Sequence, residues 1–469
     1  MLFRGLTSPT DSYFCLRLRM YRILHWMRTR HRMRNANCYK WIVCVLSIVT
    51  FMVVNFILTR GQTSLSLKLT HPSSVRPVRQ CPMQVSEETI TPLDKTKHLL
   101  VSAYMDQRVP GLDVHIISIF KVDSMEPMEC IFCCQGQMSR RSQAAIVKHP
   151  SSSAFPYITT YVMCQLPQGC QGSHVTIVPY QHQATVSNLM WIPVKNREKE
   201  IRLNFTVCIS TMYGGYNNVL QTAQTLEIYR LLGVDKVVIY KTNSGPEVGR
   251  LLHSYIQEGF VEIVPWLIDK HLTPSSTWSF SKGAGDIRYF GQLTTLSECL
   301  YRSMERSRYV LMNDLDEIIM PHQHDSLMSM MTSFQQQNPN FLEIGEFRIK
   351  TFYFPTALVD PSKKFRLPQW EGVPGHNILE HIYSREYIGT NPNKLILQPR
   401  LVAFPNVHVV GKNFGQTYMV PPEVCRVIHV RTKPAKTTEQ DEVNTRLWDF
   451  HQKLIPNVDR VLKRAGLLQ

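Results

Sequence analysis

Residues 205–265 read FTVCISTMYGGYNNVLQTAQTLEIYRLLGVDKVVIYKTNSGPEVGRLLHSYIQEGFVEIVP, and their order decides the fold. An apolar run, residues 205–210, is followed by a helical stretch, 218–232, with Val219, Ala223 and Leu226 on one face. The β-branched segment 234–240 reads as a strand. Pro246 opens a second helix whose Val248, Leu251, Leu252, Tyr255 and Ile256 share a face; Gly259 ends it, and residues 260–265 form another strand. Strand–helix–strand–helix–strand predicts parallel strands joined by right-handed crossovers. A third helical stripe, Leu293, Leu296, Leu300 and Met304, leads into RYVLM and then Asn313-Asp314-Leu315-Asp316-Glu317.

Read as an extended segment leaving that strand, Asp314 and Asp316 point to one side. Ligands of open α/β sheets bind outside the carboxyl ends of the strands. Two carboxylates converging there suit a hard divalent cation such as Mn²⁺ or Mg²⁺, which can stabilise a departing nucleotide diphosphate. A solvated turn, or Asp314 as a cap, is the competing structural reading.

Working outward, residues 98–195 read as short strands between Gly, Pro and Ser clusters and form a β-rich module ahead of the α/β domain at 196–469. Cys130-x-x-Cys133 lacks a partner pair at zinc-finger spacing, so disulfides are expected here. Residues 59–97 carry Pro72, Pro77, Pro82 and Pro92 without periodicity and read as a stem. Residues 41–58, WIVCVLSIVTFMVVNFIL, contain no charge. Eighteen residues at ~1.5 Å per residue span ~27 Å, about one hydrocarbon core.

The chain of 469 residues has a net charge of +16, which invites a nucleic-acid reading. Residues 1–40, however, hold nine Lys/Arg against the single acid Asp11, half of the excess. A basic flank beside an anchor stays cytosolic, so the expectation is a single-pass type II membrane protein with no nucleic-acid partner. Apolar residues at 43% and charged residues at 19% exclude wholly disordered and multi-span classes. Nine of the twelve Cys follow the anchor; being odd in number, they leave one free or pairing between chains, as in a disulfide-linked homodimer, and a non-covalent one is equally compatible. Asn204-Phe205-Thr206 is a glycosylation sequon compatible with a lumenal location.

The segment 205–245 followed by RYVLMNDLDEIIMP, with KLILQPRLVAFPNVHVVG and CRVIHVR later, resembles glycosyltransferase family 92 over residues 98–435. The resemblance implies a Golgi type II enzyme with a nucleotide-sugar-binding domain of the GT-A type and a mostly parallel sheet. It also implies UDP-galactose as donor, Mn²⁺ as cofactor and an inverting β1,4 transfer to galactose or fucose of N-glycans or other glycoprotein acceptors. By this resemblance Thr211, Tyr213, Asn217, Asp235 and Asn243 lie toward the nucleotide, with a strand-edge role for Asp235 left open. Asp314 and Asp316 are the metal pair, Glu317 orients them, and His429 closes the metal site, with His408 a weaker candidate. The family tends toward His-Tyr-Arg where this chain has His429-Val430-Arg431. Lys394 and Arg431 are cations for the diphosphate. An in-line attack needs a general base, for which Glu371 and Glu380 are candidates, and Trp370 is a stacking surface for a sugar. A glycan-binding or assembly subunit without catalysis is the alternative, and phosphotransfer also uses Asp-x-Asp with a metal.

Overall fold

The computed structural model describes residues 80–468 apart from 83, 152–153, 181–188, 388–392 and 433–440, together with 48, 50 and 52. The expected anchor and cytosolic tail thus lie outside the described residues, save those three. No helix among the described residues is long and apolar enough to cross a membrane. Residues 78–469 form one compact unit.

Its first part is an antiparallel-rich sheet of eleven strands between residues 84 and 195, including Leu99–Met105, Val114–Lys121, Met128–Cys134, Tyr157–Cys164 and His174–Pro179. Folded structure begins earlier than the stem reading placed it. Short strands at Gln84–Val85 and Thr91–Pro92 pair into this sheet, and Ile90 and Leu93 are buried, so the prolines there punctuate strands instead of a spacer. Cys81–Cys133, Cys130–Cys164 and Cys134–Cys170 are disulfides, so the two cysteines of the C-x-x-C motif have different partners. Cys208–Cys299 is a fourth, and among the described residues Cys425 is the free thiol. Cys425 is fully buried, so it is not accessible for pairing with a second chain.

The second sheet is built from β1 (Leu203–Met212), β2 (Lys236–Lys241), β3 (Val261–Pro265), β4 (Ser307–Asn313), β5 (Glu317–Pro321), β6 (Ile344–Pro355), β7 (Asn393–Leu397) and β8 (Cys425–Arg431), with shorter edge strands. Its helices are α1 (Val219–Leu231), α2 (Pro246–Gln257), α3 (Gln292–Met304), α4 (Leu327–Gln337) and α5 (His451–Arg464). The order β3-β2-β1-β4 is parallel throughout, and β4 then continues antiparallel into β7 and β6. The sheet is therefore mixed, where a mostly parallel one was expected. The βαβ units end at β4; beyond it β7 runs antiparallel to both β4 and β6, while β8 pairs parallel with β6 and antiparallel with β5.

Helix α1 is buried on nearly every side, although its sequence marks only one apolar face. The sheet covers one side, while α5 and the turns around 370–380 cover the other, so Gln221 and Gln224 hydrogen-bond Val430 O, Asn377 and Ile378. On the opposite face of the second sheet, α3 lies between it and the first sheet. Tyr104, Ile117 and Tyr161 share one apolar core there with Leu296, Leu300 and Met312. The sequon lies in β1, with Phe205 buried and the Thr206 hydroxyl bonded to Ser307 at 2.7 Å, so in the fold it is paired strand rather than an exposed acceptor.

Candidate active site

Strand order reverses between β1 and β4: the chain runs outward from β1 through β2 to β3, then returns to the other side of β1. Crevices form at such switch points, at the carboxyl ends of the strands. Here β1 delivers Ser210 and Thr211, and β4 delivers Asn313 and the segment after it. Ser210 Oγ donates to Asp314 Oδ1 at 3.4 Å, and the Gln292 amide, opening α3, donates to Ser210 Oγ at 3.1 Å. Neither Ser210 nor Gln292 stood out in sequence. Ser210 was discoverable from its place at the end of a central strand, whereas Gln292 preceded the apolar stripe and had no signal.

Asp314 and Asp316 do not lie on an extended segment. The chain turns sharply there, Glu317 N donating to Asp314 O at 3.2 Å and the Asn313 amide to Glu317 O at 3.1 Å. The turn lets β5 begin at once and pair antiparallel with β8, placing Glu317 opposite His429. His429 Nε2 is 3.0 Å from Asp316 Oδ2, and its Nδ1 is 3.3 Å from Glu317 Oε1. Lys394, reached from β7, has its Nζ 2.8 Å from both Asp314 Oδ2 and Glu317 Oε2. It is buried and spent on carboxylates, so it is not a free cation for a diphosphate. Sequence spacing could not reveal this, because Lys394 is 80 residues from Asp314.

Glu317, Lys394 and His429 form a buried back row. In front, the side chains of Asp314 and Asp316 keep 39% and 36% exposure. Three carboxylates against one ammonium leave an excess of two negative charges among them. Burial pushes the Glu317 carboxyl above its ordinary range; Lys394 opposes this, and Asp314 and Asp316 reinforce it. For Asp314 burial acts upward too, but Lys394 outweighs it and holds the carboxyl below its ordinary range. Burial works against the Lys394 ammonium, yet Asp314 and Glu317 raise its pKa. His408 Nδ1 lies 2.9 Å from Asn393 O, and burial followed by the Lys394 charge pushes its pKa down to about 4.

Oxygen donors with one imidazole are the chemistry of a Mn²⁺ or Mg²⁺ site. Two open carboxylates, carrying the excess negative charge of the group, fit such an ion. Among the described residues, no three His, Cys, Asp or Glu already surround a common ion position.

The remaining predicted residues divide by place. Tyr213 follows β1 and stacks on Phe290, with ring centroids 3.9 Å apart and the Tyr289 ring edge-on at 5.8 Å. Burial, then the Tyr289 hydroxyl and the Asp314 charge, push its phenol up. Tyr289 and Phe290 both have positive φ (44° and 51°), a conformation that costs non-glycine residues free energy and clusters at functional sites. Thr211 carries a buried hydroxyl without a hydrogen-bond partner. Asn217 and Asn243 hold the rim together: Asn217 bonds Glu247 and the Val248 amide at the start of α2, and Asn243 accepts from Gly215 N at 2.8 Å. Arg431, two residues beyond His429, packs 5.9 Å over the Tyr353 ring, whose centroid is 5.1 Å from that of His429.

Asp235 is elsewhere. It accepts from the amides of Asn204 and Phe205 at 2.8 and 3.0 Å, at the amino end of β1, so it serves the strand edge and not the nucleotide side. Trp370 is buried and donates to Asp459 at 2.6 Å, which removes it as a sugar-stacking surface. Glu371 is exposed, on a loop whose Pro374 accepts from Leu220 N in the first turn of α1 and whose His376 lies 3.2 Å from Thr432. That loop thus borders the first turn of α1 and the end of β8. Glu380 sits further along α1, on a turn held by Gln224 and Trp448.

The model for glycosyltransferase family 92 matches residues 204–462, more than half of the chain. The chain belongs to glycosyltransferase family 92. A Caenorhabditis elegans relative described as Beta-1,4-galactosyltransferase galt-1 is 19% identical over 71% of this chain and 73% of its own length. A second C. elegans family 92 protein, F13G3.3, is 25% identical over 28% of this chain and 26% of its own. Solved structures that align include Mycobacterium tuberculosis glucosyl-3-phosphoglycerate synthase with Mg²⁺ and uridine diphosphate (12% identity, TM-score 0.25, 57% of this chain and 80% of that one). Staphylococcus aureus TarS with UDP-GlcNAc aligns as loosely (10%, TM-score 0.26, 55% and 66%). At such scores neither bears on the chemistry of this family 92 member.

Proposed function

We propose that this family 92 glycosyltransferase transfers galactose from UDP-galactose to a hydroxyl of a glycoprotein glycan, with inversion and a β1,4 linkage. The carrying observation is the pair of half-open carboxylates, Asp314 and Asp316, at the β1/β4 switch point and backed by Glu317, Lys394 and His429. The galactose donor and the linkage draw on the name of the C. elegans relative.

In this reading Tyr213, fixed by Phe290, offers its free side to the uracil, with Thr211 beside it. Asp314, Asp316 and His429 would hold a divalent cation of the Mn²⁺ type, which would supply charge stabilisation for the departing diphosphate. Glu317 and Lys394 fix those ligands from behind, and Arg431 meets the diphosphate at the open edge. Glu371 accepts the proton of the attacking hydroxyl; its rim loop suits that role better than the packed turn carrying Glu380. Residues 41–58 anchor the chain with its basic tail cytosolic, placing the catalytic unit in the Golgi lumen. Four disulfides within that unit support an oxidising compartment.

The test is UDP release by the full-length chain from UDP-galactose with a panel of β-galactoside- and fucose-terminated glycans, in Mn²⁺ and in EDTA. Release with an acceptor that is lost in EDTA is expected. No release with any acceptor would instead favour a non-catalytic glycan-binding subunit.

A further inference from the structure

Between β3 and α3 the chain makes a long excursion, residues 266–291, that leaves and re-enters the rim of the candidate active site. Its returning end carries Tyr289 and Phe290, which pack on Tyr213, and then Gln292, which reaches Asp314 through Ser210. The excursion is tightly stapled. Ser275 N donates to Ile287 O at 2.9 Å, Phe290 N to Ser275 O at 3.1 Å, and Ser275 Oγ to Gly283 O at 2.8 Å. At Gly285 a Cβ would lie 2.8 Å from Ser275 N, so only glycine permits the two arms to approach.

At the tip of this braced loop the sequence is Ser276-Thr277-Trp278-Ser279-Phe280-Ser281-Lys282. Phe280 turns back and packs edge-on against buried Phe155, just ahead of the first-sheet strand Tyr157–Cys164, ring centroids 5.3 Å apart. Tyr157 N, of that strand, donates to Asp286 O at 2.9 Å. Trp278 has no such cover. It is 60% exposed, stands in sequence between Thr277 and Ser279, and carries the Lys282 ammonium 4.6 Å from its ring centroid. A rigid loop spends no free energy on ordering when a ligand arrives, and an exposed indole offers an apolar face beside a polar rim. The apolar C–H face of a pyranose, with hydroxyls around its edge, is complementary to that surface.

We infer that Trp278 is an acceptor-binding residue: its open face stacks on a sugar ring of the acceptor glycan, with Lys282 and the loop hydroxyls meeting the sugar's oxygens. The β-rich first sheet then has a role in the reaction, because Phe155 and Tyr157 hold this loop in place. The inference rests on the glycosyltransferase reading above and deepens it to the acceptor side.

The experiment uses full-length wild type, Trp278→Ala and Trp278→Phe with UDP-galactose and a galactose-terminated biantennary N-glycan. The Ala variant should raise KM for the glycan about tenfold, the size of one aromatic contact, while KM for UDP-galactose stays within twofold and thermal melting is unchanged. The Phe variant should recover most of the glycan KM. An active wild type whose glycan KM is the same in Trp278→Ala overturns the inference and leaves the transferase reading standing. If wild type releases no UDP with this glycan or any other on the panel, the transferase reading fails first and the inference with it.

Discussion

Glu298 and Glu317 are both buried glutamates paired with cations, and their environments push them in opposite directions. Glu298, on α3, receives Arg302 at 2.8 and 2.9 Å, Tyr104 at 2.5 Å, Ser102 at 3.1 Å and the Tyr240 hydroxyl, with Lys195 at 3.7 Å. Burial acts against its charge, but these donors win and bring its pKa to about 2. Glu317 has one lysine and shares its surroundings with Asp314 and Asp316, so burial and like charges raise it. Donors in excess make a structural joint, here between the first sheet and α3. Carboxylates in excess make a site that still has something to bind.

The largest effect of a single substitution is expected at Asp316. Replacing it with Asn removes one open carboxylate while Glu317, Lys394 and Asp314 keep their contacts. UDP release from UDP-galactose should fall about a thousandfold, consistent with losing several kcal/mol of transition-state stabilisation. The thermal midpoint should hold within about 2 °C, as for a surface change. Equal activity of Asp316→Asn and wild type would show that the open pair is ordinary surface.

Glu298→Gln should do the reverse. Uncoupling a buried ion pair costs about 3 kcal/mol in denaturant unfolding, and turnover per folded molecule should be kept. The same residue makes stability depend on pH. Its folded pKa, about 2, is below the ordinary glutamate value of 4.5, so its contribution is complete above about pH 4.5 and is lost as pH falls toward 2. Wild type should therefore lose about 3 kcal/mol across that window that Glu298→Gln does not lose. Parallel stability curves for the two proteins below pH 4.5 would remove Glu298 from the role of joint.

The two regions were unequally legible in sequence. The βαβαβ order and the acidic end of β4 follow from apolar periodicity, which local residues carry. The turn at Asp314–Asp316 was misread because its cause lies elsewhere: β5 must start immediately to pair with β8, over a hundred residues later. Lys394 was visible as a cation near the site, but its two carboxylate partners were not, since ion pairing depends on which strand lies beside β4. The Glu298 joint gave no signal at all. A glutamate within an apolar helical stripe reads as the polar face until a tyrosine-rich sheet packs on it.

Asp235 extends the comparison to a carboxylate that is exposed and still fully used. Both hydrogen bonds it accepts come from backbone amides at the entry to β1, at the end of the strand remote from Asp314. Asp235→Ala leaves those amides at a solvent-accessible edge where water replaces the carboxylate, so the cost should be about 1 kcal/mol in denaturant unfolding. If the residue served the nucleotide, one of the two roles the family resemblance leaves open, KM for UDP-galactose would rise several-fold in this variant. The strand-edge geometry predicts an unchanged KM. Measuring both quantities on one preparation separates the roles, because a loss of stability without a change in KM is the signature of an acid that holds a strand rather than a substrate.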